Sequence, residues 1–556
     1  MPVERPWLAH YAPEVPADAV IPDCSIVDLF RDAATIEPDR VAFDFLGATT
    51  TYGDAWEQIL RAAAALHALG IRKGDRVALA LPNCPQHVIA FYAVLRLGAI
   101  VVEHNPLYTE IELSRQFADH EPALVIAWDC IAPMAARAAH GAPVIAVNIT
   151  EDLPRHSQLL LRLPIAKARA TRAAMTSAAP GLATWHEVTR DVSPIGADVE
   201  GPTPQDIALL QYTGGTTGVP KGAMLTHRNL VANAAQSIAW VPMLHAGEET
   251  VYAVLPLFHV YGLTLCLMAA IQLRMTVVLF PKFDPDLVMK AWRRRPCTFL
   301  PGVPPMYPRL VEAAKRHNVP LRSVKVALAG AMALQPDIVE LWEAASGGLL
   351  IEGYGMTESS PITVGNPVSS ERRVGCIGIP YPNTEVRVAD PEHPFTDVQQ
   401  GQAGELLVRG PQVFSGYWNR GEETAATLLP EGWLRTGDIV VQDDDGFLRI
   451  VDRIKELILV GGFNVYPSEV ETAIRALPGV ADCAVTSIPE GDHDIVVAAV
   501  VATDGAVLDP EELRAACRSS LAAYKVPRQV HIVQELPRSV VGKVLRRQVR
   551  DQLMQG

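Results

Sequence analysis

The feature that most constrains this sequence is a regular alternation of short apolar runs with helical segments. Apolar runs lie at 76–81, 99–103, 124–128 and 144–147, and a helical pattern at 86–97 separates the first two. Short apolar strands that alternate with helices are typical of layered α/β domains whose strands run mostly parallel. The first part of the chain is therefore predicted to be α/β.

The pattern changes towards the C terminus. From about 374 to 450 short strands follow one another with regular turn signals, which indicates a β-rich lobe. Beyond Asp452, the helical segments VETAIRAL and PEELRAACRSSLAAY flank the strand-like VVAAVVA. We predict an α/β protein with a large N-terminal domain at 1–451, made of two layered α/β subdomains and the β-rich lobe, and a small mobile α+β domain at 452–556.

Charge and cysteine content exclude several classes of protein. The 556-residue chain has a formal net charge of −14, whereas a general nucleic-acid binder needs a basic surface. Its eight cysteines are scattered without a Cys-x-x-Cys pair, so neither a zinc site nor a disulfide framework is expected. The start, MPVERPWLAHYAP, has no apolar signal region. These features predict a cytoplasmic protein that binds no nucleic acid.

Two segments bear on contact with a membrane. Residues 253–273 are mostly apolar, but Pro256, His259 and Gly262 interrupt them, so we predict a strand, a turn and a buried helix rather than a membrane span. Residues 155–172, RHSQLLLRLPIAKARATR, carry five Lys/Arg residues, no acids and a leucine cluster. We interpret this segment as a solvated linker helix broken at Pro164; the alternative is a basic amphipathic surface at the inner face of the membrane.

The segment 212–222, YTGGTTGVPKG, follows the apolar run 207–210 and is predicted to be a loop at the end of a buried strand. Glycine lets backbone approach a ligand closely, and consecutive N–H groups with hydroxyls and a lysine form an anion site. We predict a polyphosphate site; the alternative is a mobile hairpin without a ligand. The common nucleotide loop differs, because it ends in Gly-Lys-Ser/Thr. The predicted binding residues are Thr213, Gly214, Gly215, Thr216, Thr217, Gly218 and Lys221.

The eleven-residue string resembles the phosphate loop of the adenylate-forming enzymes, which include acyl- and aryl-CoA synthetases, firefly luciferase and adenylation domains of peptide synthetases. EGYGMTE, at 352–358, is similar to the adenine and magnesium motif of that family. The resemblance implies that Tyr354 stacks on adenine, Thr357 binds the α-phosphate and the acyl carboxylate, and Glu358 binds Mg²⁺ together with Thr216. It also places Gly330, Ala331, Gly353 and Gly355 beside the nucleotide.

Further motifs of the same family follow in order. RTGD, at 435–438, is similar to the ribose motif, which implies that Asp438 accepts both ribose hydroxyls. VDRIKEL implies that Arg453 is a second ribose-side contact and that Lys455 lies at the hinge. LPRSVVGKVLRR implies that Lys543 bridges the carboxylate and the α-phosphate. ILVGGFNVYPSEVE resembles the hairpin that lines the tunnel for coenzyme A, which the family builds from residues here numbered Gly461, Gly462 and Phe463.

Within the family the chain most resembles bacterial long-chain fatty acyl-CoA synthetases, through strings such as QYTGGTTGVPKGAMLTHRN and GFNVYPSEVE. The resemblance implies activation of a medium- or long-chain fatty acid to acyl-AMP and transfer to coenzyme A, with ATP and Mg²⁺. A shortened turn at 489–501 departs from the family pattern and bears on the second step. The acyl pocket is predicted to include His259, Tyr261, Gly262 and Val303.

Several alternatives remain open at this stage. An aryl acid such as a cinnamate would fit the same apolar pocket. A fatty acyl-AMP ligase that delivers to a carrier protein would share the first step only. From a different class, an inactive fatty-acid-binding or trapping protein would keep the fold without the chemistry. The partners expected are the small-molecule substrates, and a homodimer is left open.

Overall fold

The structure is a computed structural model that describes residues 5–196, 198–213, 220–456, 458–460, 463–490, 493–518, 521–539 and 542–555. Within these residues the N-terminal strands form two large sheets. The strands are β1 (Val41–Phe45), β2 (Ala48–Thr51), β3 (Arg76–Ala80), β4 (Ile100–Glu103), β5 (Leu124–Trp128), β6 (Val144–Val147), β7 (Ala183–Thr184), β8 (Ile207–Thr213), β9 (Lys221–Thr226), β10 (Thr250–Ala253), β11 (Thr276–Leu279), β12 (Phe299–Gly302), β13 (Val326–Ala329), β14 (Leu349–Gly355), β15 (Ile362–Gly365) and β16 (Ile379–Pro380).

The helices that accompany these strands cover the sheets and fill the space between them. They are α1 (Ile26–Ile36), α2 (Tyr52–Ala68), α3 (Pro85–Arg96), α4 (Glu110–His120), α5 (Ala132–Ala138), α6 (Arg155–Leu161), α7 (Ala166–Ala173), α8 (Trp185–Thr189), α9 (His227–Trp240), α10 (Val260–Gly262), α11 (Ala269–Gln272), α12 (Pro285–Arg294), α13 (Met306–His317) and α14 (Pro336–Ser346). A π-helical stretch at Leu263–Met268 joins α10 to α11.

Both large sheets are mostly parallel, which confirms the predicted α/β class. One sheet has the strand order β7-β6-β5-β3-β4-β8-β9, and only its edge strand β9 is antiparallel to its neighbour. The other has the order β16-β15-β14-β13-β12-β10-β11-β1-β2, with a parallel centre and antiparallel strands at both ends. Ligand sites of such sheets lie at the carboxyl ends of the parallel strands.

The core between the sheets is built around two buried helices. Nearly all side chains of α3 and α9 are buried, and one apolar cluster joins them to strands of both sheets. The helix starts are set locally: Thr109, the predicted cap, accepts a hydrogen bond from the backbone N–H of Glu112, whose side chain accepts one in return. The two layers therefore share one core.

The remaining strands form smaller sheets. The β-rich part consists of β17 (Glu385–Ala389), β18 (Ala403–Arg409), β19 (Leu428–Leu429), β20 (Trp433–Gln442) and β21 (Leu448–Arg453), with α15 (Gly421–Thr427) beside them. The C-terminal part contains β22 (Ile458–Val460), β23 (Phe463–Val465), β24 (Val480–Glu490), β25 (His493–Ala502), β26 (Gln529–Val533), α16 (Pro467–Arg475), α17 (Pro510–Cys517) and α18 (Arg546–Gln555). Its apolar cluster is separate from that of the large sheets.

Two of the motif segments lie inside strands, and one predicted helix ends early. Residues 435–438 lie inside β20, and residues 353–355 inside β14, because each segment pairs with a neighbouring antiparallel strand. The helix expected over 510–524 ends at Cys517. The hairpin β24–β25 pairs Glu490 with His493, so the shortened turn consists of 491–492, which lie outside the described residues.

The apolar segment 253–273 is part of the core, as predicted. β10 ends at Ala253, and the helical segment begins at Val260 after a turn. Among the residues described, no helix combines the length and apolar character needed to cross a bilayer. The basic segment forms α6 and α7, and the break between Leu161 and Ala166 confirms the predicted interruption at Pro164.

Candidate active site

A cleft of about 990 Å³ opens at the carboxyl ends of β4, β8 and β14 and is closed on one side by the C-terminal part. This volume is in the range of small-molecule sites. Most of the described site residues predicted from the sequence line it, although they come from segments more than 300 positions apart. These residues are Thr213, Lys221, His259, Tyr261, Gly330, Ala331, Gly353, Tyr354, Gly355, Thr357, Glu358, Asp438, Arg453 and Lys543.

Other predicted residues are not placed in this cleft by the structure. Gly262 and Val303 are buried and do not belong to the described residues that line it. The backbone of Lys455 lies in the 3-10 turn Ile454–Glu456, and that of Phe463 begins β23. The predicted residues Gly214, Gly215, Thr216, Thr217, Gly218, Gly461 and Gly462 lie outside the described residues.

The phosphate-loop prediction is supported by the geometry of the loop's two ends. Thr213, the last residue of β8, is the register partner of Lys221, the first residue of β9. The two ends of the loop are thus side by side at the rim of the cleft. The Lys221 ammonium lies 5.2 Å from the ring centroid of Tyr417, a cation–π distance.

Tyr417 also contacts the predicted metal ligand. Its hydroxyl donates a 2.6 Å hydrogen bond to Oε1 of Glu358, and the Phe414 N–H donates to the Glu358 carbonyl at 2.9 Å. Tyr417 lies in the segment GPQVFSGYW, at 410–418, outside the motifs from which site residues were predicted. Tyr417 therefore links the lysine of the phosphate loop with the carboxylate of the magnesium motif.

The possible metal ligands around Glu358 suit a magnesium ion better than a metal ion that is bound entirely by protein side chains. In the part of the chain that the structure describes, no three His, Cys, Asp or Glu side chains converge to hold a metal. Mg²⁺ is usually bound through one or two carboxylates, with phosphates and water as its other ligands. Glu358 is 6% exposed and lines the cleft, so it fits that role.

The predicted ribose site is organised around one carboxylate. Asp438 and Arg453 are register partners on β20 and β21, and Arg453 Nε lies 2.8 Å from Asp438 Oδ1. The Tyr354 hydroxyl donates to Oδ2 at 2.5 Å. Burial, and then the Asp438 charge, raise the pKa of Tyr354 well above its usual value, so its proton stays on the hydroxyl. Asp438 is thereby held in one orientation at the cleft wall.

Two close contacts shape the wall opposite the ribose site. The Tyr261 hydroxyl donates to the carbonyls of Gly302 and Leu328, at 3.1 and 2.9 Å, which fixes its ring. A Cβ on Gly330 would come within 3.0 Å of that ring, so glycine is needed for the close approach. His259 accepts a hydrogen bond from the Tyr261 N–H, and burial lowers its pKa to about 4, so the imidazole is neutral at pH 7.

The C-terminal part reaches the cleft through the loop that carries Lys543. The Lys543 N–H donates to Ser539 Oγ, and the Ser539 N–H donates to the Lys543 carbonyl. Gly542 has a φ of +82°, and a Cβ there would lie 3.0 Å from Met332 Sδ, next to Ala331. Burial, and then the charge of Arg453, lower the pKa of Lys543 to about 8, while Asp438 opposes the shift. The ammonium therefore lies inside the cleft beside the ribose site.

Comparison with known proteins identifies the class to which this fold and site belong. The family model of the AMP-binding enzymes matches residues 30–418, and that of the AMP-binding enzyme C-terminal domain matches 469–543. The chain belongs to the AMP-binding enzyme family, whose members are adenylate-forming enzymes with a large N-terminal and a small C-terminal domain.

Individual relatives are similar to this protein along nearly its whole length. The long-chain-fatty-acid–CoA ligase of Bacillus subtilis (strain 168) is 38% identical and covers 99% of both chains. That of Yersinia pestis is 39% identical over 99% of this chain and 98% of its own. The crystal structure of ATP-bound MatB from Rhodopseudomonas palustris superposes with a TM-score of 0.80 at 29% identity, covering 95% of this chain and 98% of its own.

Proposed function

We propose that this chain is an ATP-dependent fatty acid–CoA ligase, which forms acyl-AMP and pyrophosphate and then transfers the acyl group to coenzyme A. The observation that carries the proposal is that Lys543, from the C-terminal part, lies in the same cleft as Tyr354, Glu358 and Asp438. The two ends of the predicted phosphate loop, the predicted ribose carboxylate and the half-buried Lys543 ammonium thereby line one volume. Full-length similarity to long-chain-fatty-acid–CoA ligases supports the substrate class.

The first half-reaction requires charge compensation rather than a protein nucleophile. The substrate carboxylate attacks the α-phosphate in line, and pyrophosphate leaves with the bonding electron pair. Lys543 lies between the two reacting anions and offsets their repulsion, while Lys221 and Thr357 bind phosphate oxygens.

The rest of the cleft holds the nucleotide. Asp438 binds the ribose and Tyr354 the adenine, and the backbone beside the nucleotide is that of Gly330, Ala331, Gly353 and Gly355. Mg²⁺, when bound at Glu358 and Thr216, neutralises charge on the phosphates.

The second half-reaction needs the Lys543 loop to leave the cleft. We place the boundary of the two domains at 451/452, with a β-rich lobe at about 374–450, and the hinge at Lys455. Rotation about that residue withdraws Lys543 and brings Gly461, Gly462 and Phe463 to line the path of the pantetheine arm. The two half-reactions then share one active site.

The acyl group extends from the cleft past His259 and Tyr261. A neutral His259 places no charge next to the acyl chain, and Tyr261 is held rigidly by its two hydrogen bonds. We propose that Gly262 and Val303 contribute to the apolar wall behind these residues. Each buried CH₂ of a fatty acid contributes about 0.8 kcal/mol, so an apolar pocket favours longer chains until its length is filled.

The decisive experiment is consumption of the coenzyme A thiol with ATP and Mg²⁺, measured with C4 to C18 fatty acids and a cinnamate. Consumption that peaks at medium or long chains is expected. A peak at the cinnamate would make the protein an aryl-CoA ligase. Pyrophosphate release without thiol consumption would make it an acyl-AMP ligase. If neither thiol consumption nor pyrophosphate release is detected, the protein would be a fatty-acid-binding protein.

The basic segment 155–172 supports a peripheral contact with the inner face of the membrane, which we propose as the site where the enzyme meets its substrate. α6 exposes Leu159 (62%) and Leu160 (56%), and the break between α6 and α7 exposes Leu163 (43%) and Ile165 (54%), with basic side chains on both sides. Such a surface inserts apolar groups at the level of the lipid headgroups, and each Lys or Arg near anionic lipid adds about 1 kcal/mol. A homodimer stays a prediction.

Vesicle co-sedimentation tests this contact. We expect binding to vesicles that contain phosphatidylglycerol, weakened by salt, and little binding to pure phosphatidylcholine. The double variant Leu159→Ser/Leu160→Ser should lose most of the binding, whereas Leu69→Ser, which changes a leucine 55% exposed at the end of α2, should keep it. Equal binding by both variants would contradict the proposal.

A further inference from the structure

A buried carboxylate at the cleft has no part in the steps described so far. Glu103, the last residue of β4, is 2% exposed and lines the cleft. Its Oε1 lies 2.9 Å from Nε2 of the equally buried His87 on α3, and its Oε2 has no hydrogen-bond partner among the described residues. Leaving a buried polar group unpaired is unfavourable, and more so when the group is charged. A ligand that donates a hydrogen bond would recover this cost.

Glu103 lies next to β8, the strand that leads into the predicted phosphate loop. β4 and β8 are parallel neighbours in which Glu103 is the register partner of Gln211, so both side chains project from the same face. β8 continues for two residues to Thr213, where the phosphate loop begins. Neighbouring strands are about 4.8 Å apart, and two residues of strand span about 6.6 Å. The Glu103 carboxylate therefore lies within side-chain reach of the part of the cleft beside Thr213, where the α-phosphate is proposed to bind.

The same wall offers a second acceptor. Gln211 donates from Nε2 to the Phe258 carbonyl at 3.0 Å, and its Oε1 has no partner among the described residues. The triphosphate of ATP and the fatty acid carboxylate are anions and cannot satisfy acceptor oxygens. The pantetheine arm of coenzyme A carries amide N–H groups and a terminal S–H, all of which are donors. The wall formed by Glu103 and Gln211 thus has the polarity that suits the thiol end of coenzyme A.

We propose that Glu103 is the general base that takes the proton of the coenzyme A thiol in the second half-reaction; this inference rests on the proposed function. The S–H bond breaks with its electron pair left on sulfur, and the proton moves to Glu103 Oε2. Sulfur forms the C–S bond with the acyl carbon, and the bond from that carbon to the phosphate oxygen breaks, so AMP leaves with the electron pair. Glu103 then returns the proton to water.

The surroundings of Glu103 suit this role. Burial raises the pKa of Glu103, and His87 opposes the shift both by charge and by hydrogen bonding; no other charged group of the described chain contributes noticeably. A carboxylate with a raised pKa is a stronger base towards a thiol. His87 lies within hydrogen-bond distance of Oε1, so it is a positioning residue that leaves Oε2 without a partner among the described residues.

The test is Glu103→Gln, which keeps the shape of the side chain but removes the base. Prepared acyl-AMP and coenzyme A are supplied to measure the second half-reaction, and pyrophosphate release measures the first. General bases contribute about 10²–10⁴-fold, so we expect the ratio of the second rate to the first to fall by that factor. A ratio within threefold of the wild-type value would overturn the proposal.

Two further readouts separate a base from a structural group. With Glu103→Gln the remaining rate should rise with pH towards the thiol pKa, about 8.5 for a free thiol, because only preformed thiolate reacts. The wild-type rate should reach its plateau at lower pH. A variant that raises the KM for coenzyme A with kcat and its pH profile unchanged would show that Glu103 only binds coenzyme A, and would overturn the proposal.

Glu249→Gln is the matched control. Glu249 is also a fully buried carboxylate with one basic partner, Lys325 at 2.5 Å, and an Oε2 without a partner among the described residues, but it does not line the cleft. We expect it to change stability without changing the ratio of the two rates; an equal fall in that ratio would overturn the proposal. If wild-type protein forms no acyl-AMP yet converts supplied acyl-AMP, the proposed function fails, while the rate of the second half-reaction and its pH profile still test Glu103.

Discussion

The Tyr354 hydroxyl donates a 2.5 Å hydrogen bond to Oδ2 of Asp438, which lies 84 positions further along the chain. The other carboxylate oxygen of Asp438 faces Arg453 at 2.8 Å. The end of β14 and the middle of β20 are thereby joined at the point where the ribose is proposed to bind. The orientation of Asp438 thus depends on the residue proposed to contact adenine.

Replacing Tyr354 by Phe tests this dependence. The change removes a hydrogen bond to a charged group, which is worth about 1.5–3 kcal/mol, so we expect the KM for ATP to rise by about tenfold or more. Tyr252→Phe is the control, because this fully buried tyrosine does not line the cleft and its hydroxyl donates to the Arg295 carbonyl at 2.7 Å. An equal rise in both variants would mean that the effect comes from general loosening of the core.

Lys543→Ala should separate the two half-reactions. Without the ammonium the two reacting anions repel each other, so acyl-AMP formation should fall by orders of magnitude, as seen in pyrophosphate release. Thioester formation from supplied acyl-AMP should be affected much less. The exposed Arg547, changed to Ala, controls for loss of a positive charge nearby. Unchanged acyl-AMP formation in Lys543→Ala would refute the role given to this lysine.

The lowered pKa of Lys543 predicts a pH dependence of the first half-reaction. In the free enzyme the ammonium is present below about pH 8 and is lost as the pH rises through that value. We expect kcat/KM for ATP in pyrophosphate release to fall above about pH 8, since this quantity reports groups of the free enzyme. Lys543→Arg should abolish the alkaline fall, because a guanidinium keeps its proton. A fall that persists in Lys543→Arg would assign it to another group.

Lys455→Pro should slow the second half-reaction relative to the first. Proline fixes φ near −65°, and a hinge must change its backbone angles when the C-terminal domain rotates. The backbone at this position lies in the 3-10 turn Ile454–Glu456. Lys455→Ala is the matched control, since it removes the same side chain but leaves the backbone able to rotate. Equal ratios of the two rates in both variants would argue against a hinge here.

Buried neutral histidines should make the protein sensitive to acid. Burial lowers the pKa of His104 and of His227 to about 4. Because the unfolded chain takes up these protons near pH 6.5, stability is complete above that value and is lost as the pH falls towards 4, by on the order of 3 kcal/mol per histidine.

The variant His227→Asn isolates one of these contributions. An Asn side-chain oxygen can accept the hydrogen bond that the Ile26 N–H donates to His227 Nδ1, but it does not titrate. Urea unfolding should show a smaller loss of unfolding free energy between pH 7 and 5 in this variant than in wild type. The exposed His186→Asn should match wild type. The same pH dependence in all three proteins would contradict the prediction.

Much of the fold could be predicted because its signals are local. The strands 124–128 and 144–147 have the predicted bounds, and Thr109 caps its helix as expected. Apolar periodicity and capping act over a few residues, so a sequence reveals them directly. The motif positions along the cleft were predictable for a different reason, namely their resemblance to a family.

Other features of the site had no such signal. Tyr417 and Glu103 were not assigned a role, because neither residue type nor spacing shows which side chains will face a cleft. Their importance follows from contacts with Glu358 and His87, which are distant in the chain. The same holds for residues 353–355 and 435–438, which look like turns but are held in strands by their neighbours.

The sequence by itself determined the elements, the class of fold and the chemical types of the residues that are proposed to bind nucleotide. Only the tertiary structure decided which strands are neighbours, for example that Phe43 pairs with Val277, and that Lys543 lies beside Asp438. It also decided the lowered pKa of Lys543, and that Oε2 of Glu103 has no hydrogen-bond partner among the described residues. The reason is physical: burial and charge–charge contacts depend on distances in space, which local patterns in a chain do not contain.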